Sequence, residues 1–209
     1  MGEKALLVID MLNDFVKKEY GSGAYSDRGA NVISKIKTLA YAAAKNDIPV
    51  IYCSDAHLKS DHELVRWGEH AMHGSRGSKV ISELPTDDML VFEREENKKT
   101  IDSKLKEANK HRFFNVEKGT YSAFYGTPLD ALLKKLDVDT IYVTGLHTNI
   151  CDTHTSAGAF FRGYNIIVVN DGVDALTQED HERGLKNLEF SYAAVLRSTE
   201  DCLADFASR

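Results

Sequence analysis

The run from Ala5 to Asp10, "ALLVID", is apolar at every position until it ends in a carboxylate. A strand with one wet face alternates apolar and polar residues. An unbroken apolar run belongs to a strand covered on both sides, and that condition narrows the possible folds more than any other stretch of this chain. Similar runs return as "PVIYCSD" (49–55), "DTIYVTG" (139–145) and "NIIVVND" (165–171). "MLVFE" (89–93) and "RFFNVEK" (112–118) are weaker strand candidates, and "AAVLRS" (193–198) is a last one. Helical segments separate them. In 31–48, Ile33, Ile36, Leu39 and Ala43 recur at helical spacing, and in 127–136 Pro128 stands at a first helical turn. "TSAGAFFRGY" and "QEDHERGLKNLEFSYA" supply two more helices. This alternation predicts a three-layer, Rossmann-like α/β fold with a mostly parallel six-stranded sheet flanked by helices on both faces. In such sheets ligands gather at the carboxyl ends of the strands.

The 209 residues suit a single domain spanning 1–209. One segment stands apart, 94–112, where seven basic and four acidic residues are interspersed. It reads as a solvated helical insertion between two strands. A net charge of −6 argues against nucleic acid or an anionic membrane as partner. No apolar run reaches the roughly 18 residues of a membrane span. The opening residues lack the charged-then-apolar pattern of a signal peptide. Cys53, Cys151 and Cys202 are few, odd in number and widely spaced, which is no disulfide framework and points to a reducing cytoplasm.

Cys151 sits in "YVTGLHTNICDTHTSAGAFF" (142–161), a polar turn where a strand hands over to a helix. The first amides of a helix lack intrahelical partners and its dipole favours negative charge there. Both effects populate a thiolate, and the same amides can hold an oxyanion. Two other strand ends carry charge. Asp10 follows a wholly apolar strand, and Lys118 closes "RFFNVEK". A carboxylate, an ammonium and a thiol thus reach one edge of one sheet. Asp10 can take the thiol proton and Lys118 can stabilise the charge that develops. Singly they read as a helix cap, a surface charge and a space-filling residue.

"VIDMLNDF", "EKGTYSAFYGTPLDALL" and "VTGLHTNICDTHTSAGAFFRGYNIIVVNDGVDAL" resemble the three signature blocks of the isochorismatase-like cysteine hydrolases, a superfamily that includes nicotinamidases. The resemblance implies an Asp–Lys–Cys triad of Asp10, Lys118 and Cys151. It also implies a cis peptide between Leu146 and His147, and an oxyanion hole formed by the backbone amides of His147 and Cys151. The chain departs from the common pattern at Leu12, where relatives often carry Gln, and at His147 and Asn149, where they often carry Ala and Asp. His147 beside the oxyanion site narrows or polarises the pocket.

"CSDAHLKSDHELVRWGEHAMHG" (53–74) holds half of the eight histidines. Asp55 and His57, two apart after a strand, can point the same way, and His70 follows in the same loop. Such donors suit zinc, iron or manganese. The arrangement resembles the metal site of nicotinamidases, where the metal binds water and the substrate ring nitrogen. Zinc is the first expectation. His73 is an alternative third ligand and Glu63 a possible fourth. Phe15, Trp67 and Phe124 are candidates to wall a flat ring. The expected function is metal-assisted cysteine hydrolysis of a small amide, nicotinamide first, by a homo-oligomeric enzyme. The alternatives are a metal-free hydrolase of a carbamoyl or ureido compound, or a catalytically silent binding protein of the same fold.

Overall fold

In the computed structural model, which describes residues 3–20 and 22–208, the apolar run becomes the central strand β1 (Glu3–Ile9). Met1, Gly2, Gly21 and Arg209, which the expected 1–209 domain takes in, lie outside the described residues. Then follow α1 (Asn13–Val16), α2 (Ile33–Lys45), β2 (Val50–Asp55), α3 (Leu64–Trp67), β3 (Leu90–Phe92), α4 (Lys98–Glu107) and β4 (Phe113–Lys118). The second half runs α5 (Leu129–Lys135), β5 (Val138–Leu146), α6 (Thr153–Phe160), β6 (Asn165–Asp174), α7 (Gln178–Tyr192), β7 (Val195–Arg197) and α8 (Thr199–Ala207).

Among the described residues the sheet has seven strands rather than six, in the order β3-β4-β2-β1-β5-β6-β7, and every neighbouring pair is parallel. All seven candidate runs form strands, the weaker ones at 89–93 and 193–198 as the three-residue edge strands β3 and β7, so the expected count of six is one short. Successive side chains of β1 alternate between two cores. Leu6 and Val8 join Ile36, Leu39 and Ala43 of α2 and Phe206 of α8 on one face. Leu7 and Ile9 join Leu129, Leu132 and Leu133 of α5 and Leu188 of α7 on the other. Helix α8, unanticipated in the sequence, buries only Cys202 and Phe206, one turn apart.

The segment 94–112 does form the expected helical excursion, α4 followed by a short turn at Ala108–Lys110. It is less detached than its charges suggest. Lys104 reaches the Val91 carbonyl of β3 at 2.6 Å and pairs with Glu96.

Strand addition reverses at β1, with β2 on one side and β5 on the other. A crevice opens at the carboxyl ends where the order reverses. Asp55 is in register with Lys118 across β2 and β4, and Ile9 with both Cys53 and Gly145. Gly145 has φ 119°, and a Cβ there would stand 2.0 Å from the Ile9 carbonyl oxygen. Only glycine lets β5 approach β1 so closely just before the turn that carries Cys151.

Candidate active site and metal centre

Asp10 lies one residue beyond β1 in a left-handed conformation, φ 50°. Its amide donates to the Cys53 carbonyl at 2.9 Å, and its Oδ1 accepts from the Asp55 amide at 2.9 Å. Lys118, the last residue of β4, is fully buried. Its Nζ donates to Asp10 Oδ2 at 2.8 Å and to Asp55 Oδ1 at 2.5 Å, and stands 3.9 Å from Cys151 Sγ. Cys151 occupies a π-helical turn, Thr148–Asp152, between β5 and α6, with its sulfur within 4.8 Å of an Asp10 carboxylate oxygen. The Leu146–His147 peptide is cis. The three strand ends therefore do bring Asp10, Lys118 and Cys151 together.

Burying an ammonium costs several kcal/mol unless it is paired. Burial alone would lower Lys118, but Asp10 and Asp55 outweigh it and hold the ammonium well above its ordinary range. The two carboxylates divide that charge unequally. Burial, then the charge of Asp55, pushes Asp10 up to about 6, against the pull of Lys118. Asp55, which burial would raise, is drawn down to about 2 by Lys118 and His57. For Cys151 the outcome differs from what its position in sequence predicts. Burial raises the thiol well above its ordinary range and outweighs the help of Lys118. The resting sulfur is a thiol, with an acceptor carboxylate within 4.8 Å.

The other oxygen of Asp55 faces a second cluster. Asp55, His57, Glu63 and His70 each offer one donor atom, all within 4.8 Å of one another. His57 Nε2 is 3.5 Å from Asp55 Oδ2 and 3.7 Å from Glu63 Oε1. His70 Nε2 is 4.0 and 3.8 Å from the same two oxygens. Asp55 Oδ2, His57 Nε2 and Glu63 Oε2 are buried without a hydrogen-bond partner. These separations are long for hydrogen bonds. They suit ligands that each stand about 2.0–2.2 Å from one ion.

The outer contacts set the tautomers. His57 Nδ1 meets Asp61 Oδ2 at 3.2 Å, and His70 Nδ1 meets the Gly68 carbonyl at 2.9 Å, which leaves each Nε2 lone pair facing inward. Burial keeps His70 below its ordinary range, hence neutral at pH 7. Asp61 is gripped by Arg94 through two hydrogen bonds of 2.8 and 3.1 Å. Sequence reasoning missed Asp61 and Arg94. Asp61 falls four residues after His57, and Arg94 opens a charge run that reads as solvated. His73 stands outside the cluster, its Nδ1 3.0 Å from Glu117.

Cys151 lines a small cavity of about 10 Å³ with Phe15, Trp67, His70, Tyr121 and His147. A groove of about 790 Å³ adjoins it, and Glu63 and Tyr121 line both. The larger hollow is an approach, because the candidate nucleophile lies only in the smaller one. Trp67 Nε1 donates to the Tyr121 hydroxyl at 3.0 Å between them. Phe124 does not join Phe15 and Trp67. Its ring packs 5.9 Å from that of Tyr164, with the Arg162 guanidinium 4.9 Å above it. An aromatic six residues past a strand end looks like a wall in sequence, but this one turns into the core beneath α6, where Gly158 makes room for it.

The isochorismatase domain model matches residues 4–201. Nicotinamidase 3 of Arabidopsis thaliana is 28% identical over 92% of this chain and 83% of its own. The solved pyrazinamidase/nicotinamidase of Streptococcus mutans is 29% identical, with a TM-score of 0.76 over 93% of this chain and 100% of its own. N-carbamoylsarcosine amidase of Thermoplasma acidophilum is as near, 29% identical with a TM-score of 0.76 over 95% and 97%. Among the described residues no helix is long and apolar enough to cross a membrane.

Proposed function

This chain belongs to the isochorismatase family of hydrolases, and from that premise we propose that it hydrolyses small amides through Cys151, with nicotinamide as its first substrate. The observation that carries the reading is the fully buried Lys118, whose ammonium contacts Asp10 and lies 3.9 Å from the Cys151 sulfur. A buried lysine shared by two carboxylates and a thiol has no need in a structural core, where apolar residues would serve better.

Asp10, ionised above about pH 6, takes the thiol proton as Sγ attacks the amide carbon. The carbonyl C=O π electrons move to oxygen, and the oxyanion is held by the backbone amides of His147 and Cys151. Asp10 returns the proton to the departing nitrogen, ammonia leaves, and a thioester to Cys151 remains. Water then attacks the thioester, Asp10 accepts its proton, and the sulfur recovers a proton as the carboxylate product departs. Lys118 stays protonated throughout and offsets the negative charge that moves between oxygen and sulfur.

Asp55, His57, Glu63 and His70 would hold a divalent cation, zinc first. When bound, it supplies a Lewis-acid contact for a ring nitrogen and for water. Two partnerless inward donor atoms, Asp55 Oδ2 and His57 Nε2, support this. The metal-independent carbamoyl reading is supported by the equal similarity to the N-carbamoylsarcosine amidase. The test is ammonia release from nicotinamide and from carbamoyl compounds, with and without chelator. Nicotinamide turnover lost in chelator is the expected result. Turnover of carbamoyl compounds alone, unimpeded by chelator, would favour the second reading.

A further inference from the structure

His147 lines the same small cavity as Cys151, and its side chain is not used in the chemistry above. Its Nε2 meets the Ala24 carbonyl at 3.1 Å. A carbonyl only accepts, so Nε2 carries the proton and Nδ1 carries a lone pair. The residue is 3% exposed, and Nδ1 is buried with no hydrogen-bond partner. Burial pushes the imidazole down to about 4, so near neutral pH it accepts a hydrogen bond and does not donate a second one. With Nε2 already engaged, the lone pair of Nδ1 is what this ring can offer a molecule in the cavity.

The setting is directional. The Phe15 ring packs near both imidazoles, with its centroid 5.6 Å from that of His70 and 5.8 Å from that of His147. Phe15, His70 and His147 line one cavity with Cys151, so a flat substrate held there meets a candidate metal donor and, as its second polar end, His147. Nicotinamide has no ring N–H or O–H to give that second end. An unmatched buried acceptor costs about 1–3 kcal/mol, which is enough to decide between similar amides.

We propose that His147 is a specificity-determining residue that selects amides whose acyl part carries an N–H or O–H donor, either a ureido nitrogen or an amino or hydroxyl group on a heteroaromatic ring. This rests on the amide-hydrolase reading and moves its preferred substrate from unsubstituted nicotinamide to donor-bearing amides.

The test uses matched pairs that exchange the donor for an isostere. N-carbamoylglycine against succinamate swaps N–H for CH2 on the acyl side. Amino- against methyl-substituted nicotinamides do the same at each open ring position. The two arms separate the ureido source from the ring source. The readout is the ratio of kcat/KM within each pair, for wild type, His147→Ala and His147→Asn. The ratio is taken within one preparation, so partial misfolding or a disturbed backbone amide at residue 147 cancels. In at least one pair, His147→Ala should lower the donor preference by about tenfold or more. His147→Asn, which keeps an acceptor at the Nδ1 position, should recover part of it. Ratios unchanged within about twofold in every pair, in an enzyme that does release ammonia, would overturn the role of His147 alone. No ammonia from any amide with wild type would instead overturn the hydrolase reading, and this inference with it.

Discussion

The ammonium of Lys118 stands 2.5 Å from Oδ1 of Asp55, while Oδ2 of the same carboxylate faces His57 and His70. One side chain therefore joins the thiol centre to the candidate metal centre. A change on either side is felt on the other through Asp55.

Lys118→Met leaves Asp10 and Asp55 buried without their cation. Breaking a buried pair by removing one partner costs about 3–5 kcal/mol, and urea denaturation at pH 7 should show a loss of that order. The sign with pH follows. Without Lys118, both carboxyls are raised by burial above their unfolded value near 3.8. The native state then binds more protons than the unfolded one, so the deficit is full above the raised folded values and shrinks as pH falls toward 3.8.

Asp10 at about 6 sets the acid limb of kcat/KM. Activity should rise with pH through about 6 as the base ionises. After burial, the charge of Asp55 is the next cause of that elevation. In Asp55→Asn the limb should therefore move to lower pH, whatever happens to the maximum. A pH profile of both proteins decides it, and an unmoved limb would show that Asp10 is not the titrating base.

His57→Ala and His70→Ala should empty the metal site, while His73→Ala should not, because His73 pairs with Glu117 outside it. Asp61→Ala and Arg94→Ala should weaken metal affinity by about 10–100-fold, since together they orient His57. Elemental analysis and competition with a chelator read these out. Cys151 should still react with an alkylating reagent in each variant.

Gly184 lies inside α7, where alanine would ordinarily add about 1 kcal/mol of helix stability. Here a Cβ would stand 2.9 Å from the Asn149 amide nitrogen and 3.0 Å from the Thr148 carbonyl carbon, both in the turn that carries Cys151. Gly184→Ala should keep the fold and lose kcat. Displacing reacting groups by about 1 Å costs on the order of a hundredfold. Activity measured beside thermal unfolding separates the two effects.

Asp10 and Lys118 were legible in the sequence because each is a charged residue at the end of an apolar strand, where burial is costly without a task. Cys151 was legible because it is a thiol in a polar turn between a strand and a helix. Asp55 and His57 were legible from their i, i+2 spacing after a strand, and His70 through its place in the same loop. Asp61 and Arg94 were not, because their roles depend on a contact between a loop after β2 and a loop after β3 that no periodicity encodes. Phe124 misled because an aromatic near a strand end serves a pocket or a core equally well, and only packing decides. The edge strands β3 and β7 were read from their short apolar runs, whereas the helix α8, which buries only Cys202 and Phe206, carries little pattern of its own. The high thiol of Cys151 also escaped, since helix position was visible in sequence and depth of burial was not.

The central claim is that Cys151 is the nucleophile, and ammonia release by Cys151→Ala tests it most directly. The variant should fold as wild type does, retain metal at Asp55, His57, Glu63 and His70, and release no ammonia above background from any amide that wild type hydrolyses. Substantial ammonia release by the folded variant would contradict the covalent mechanism.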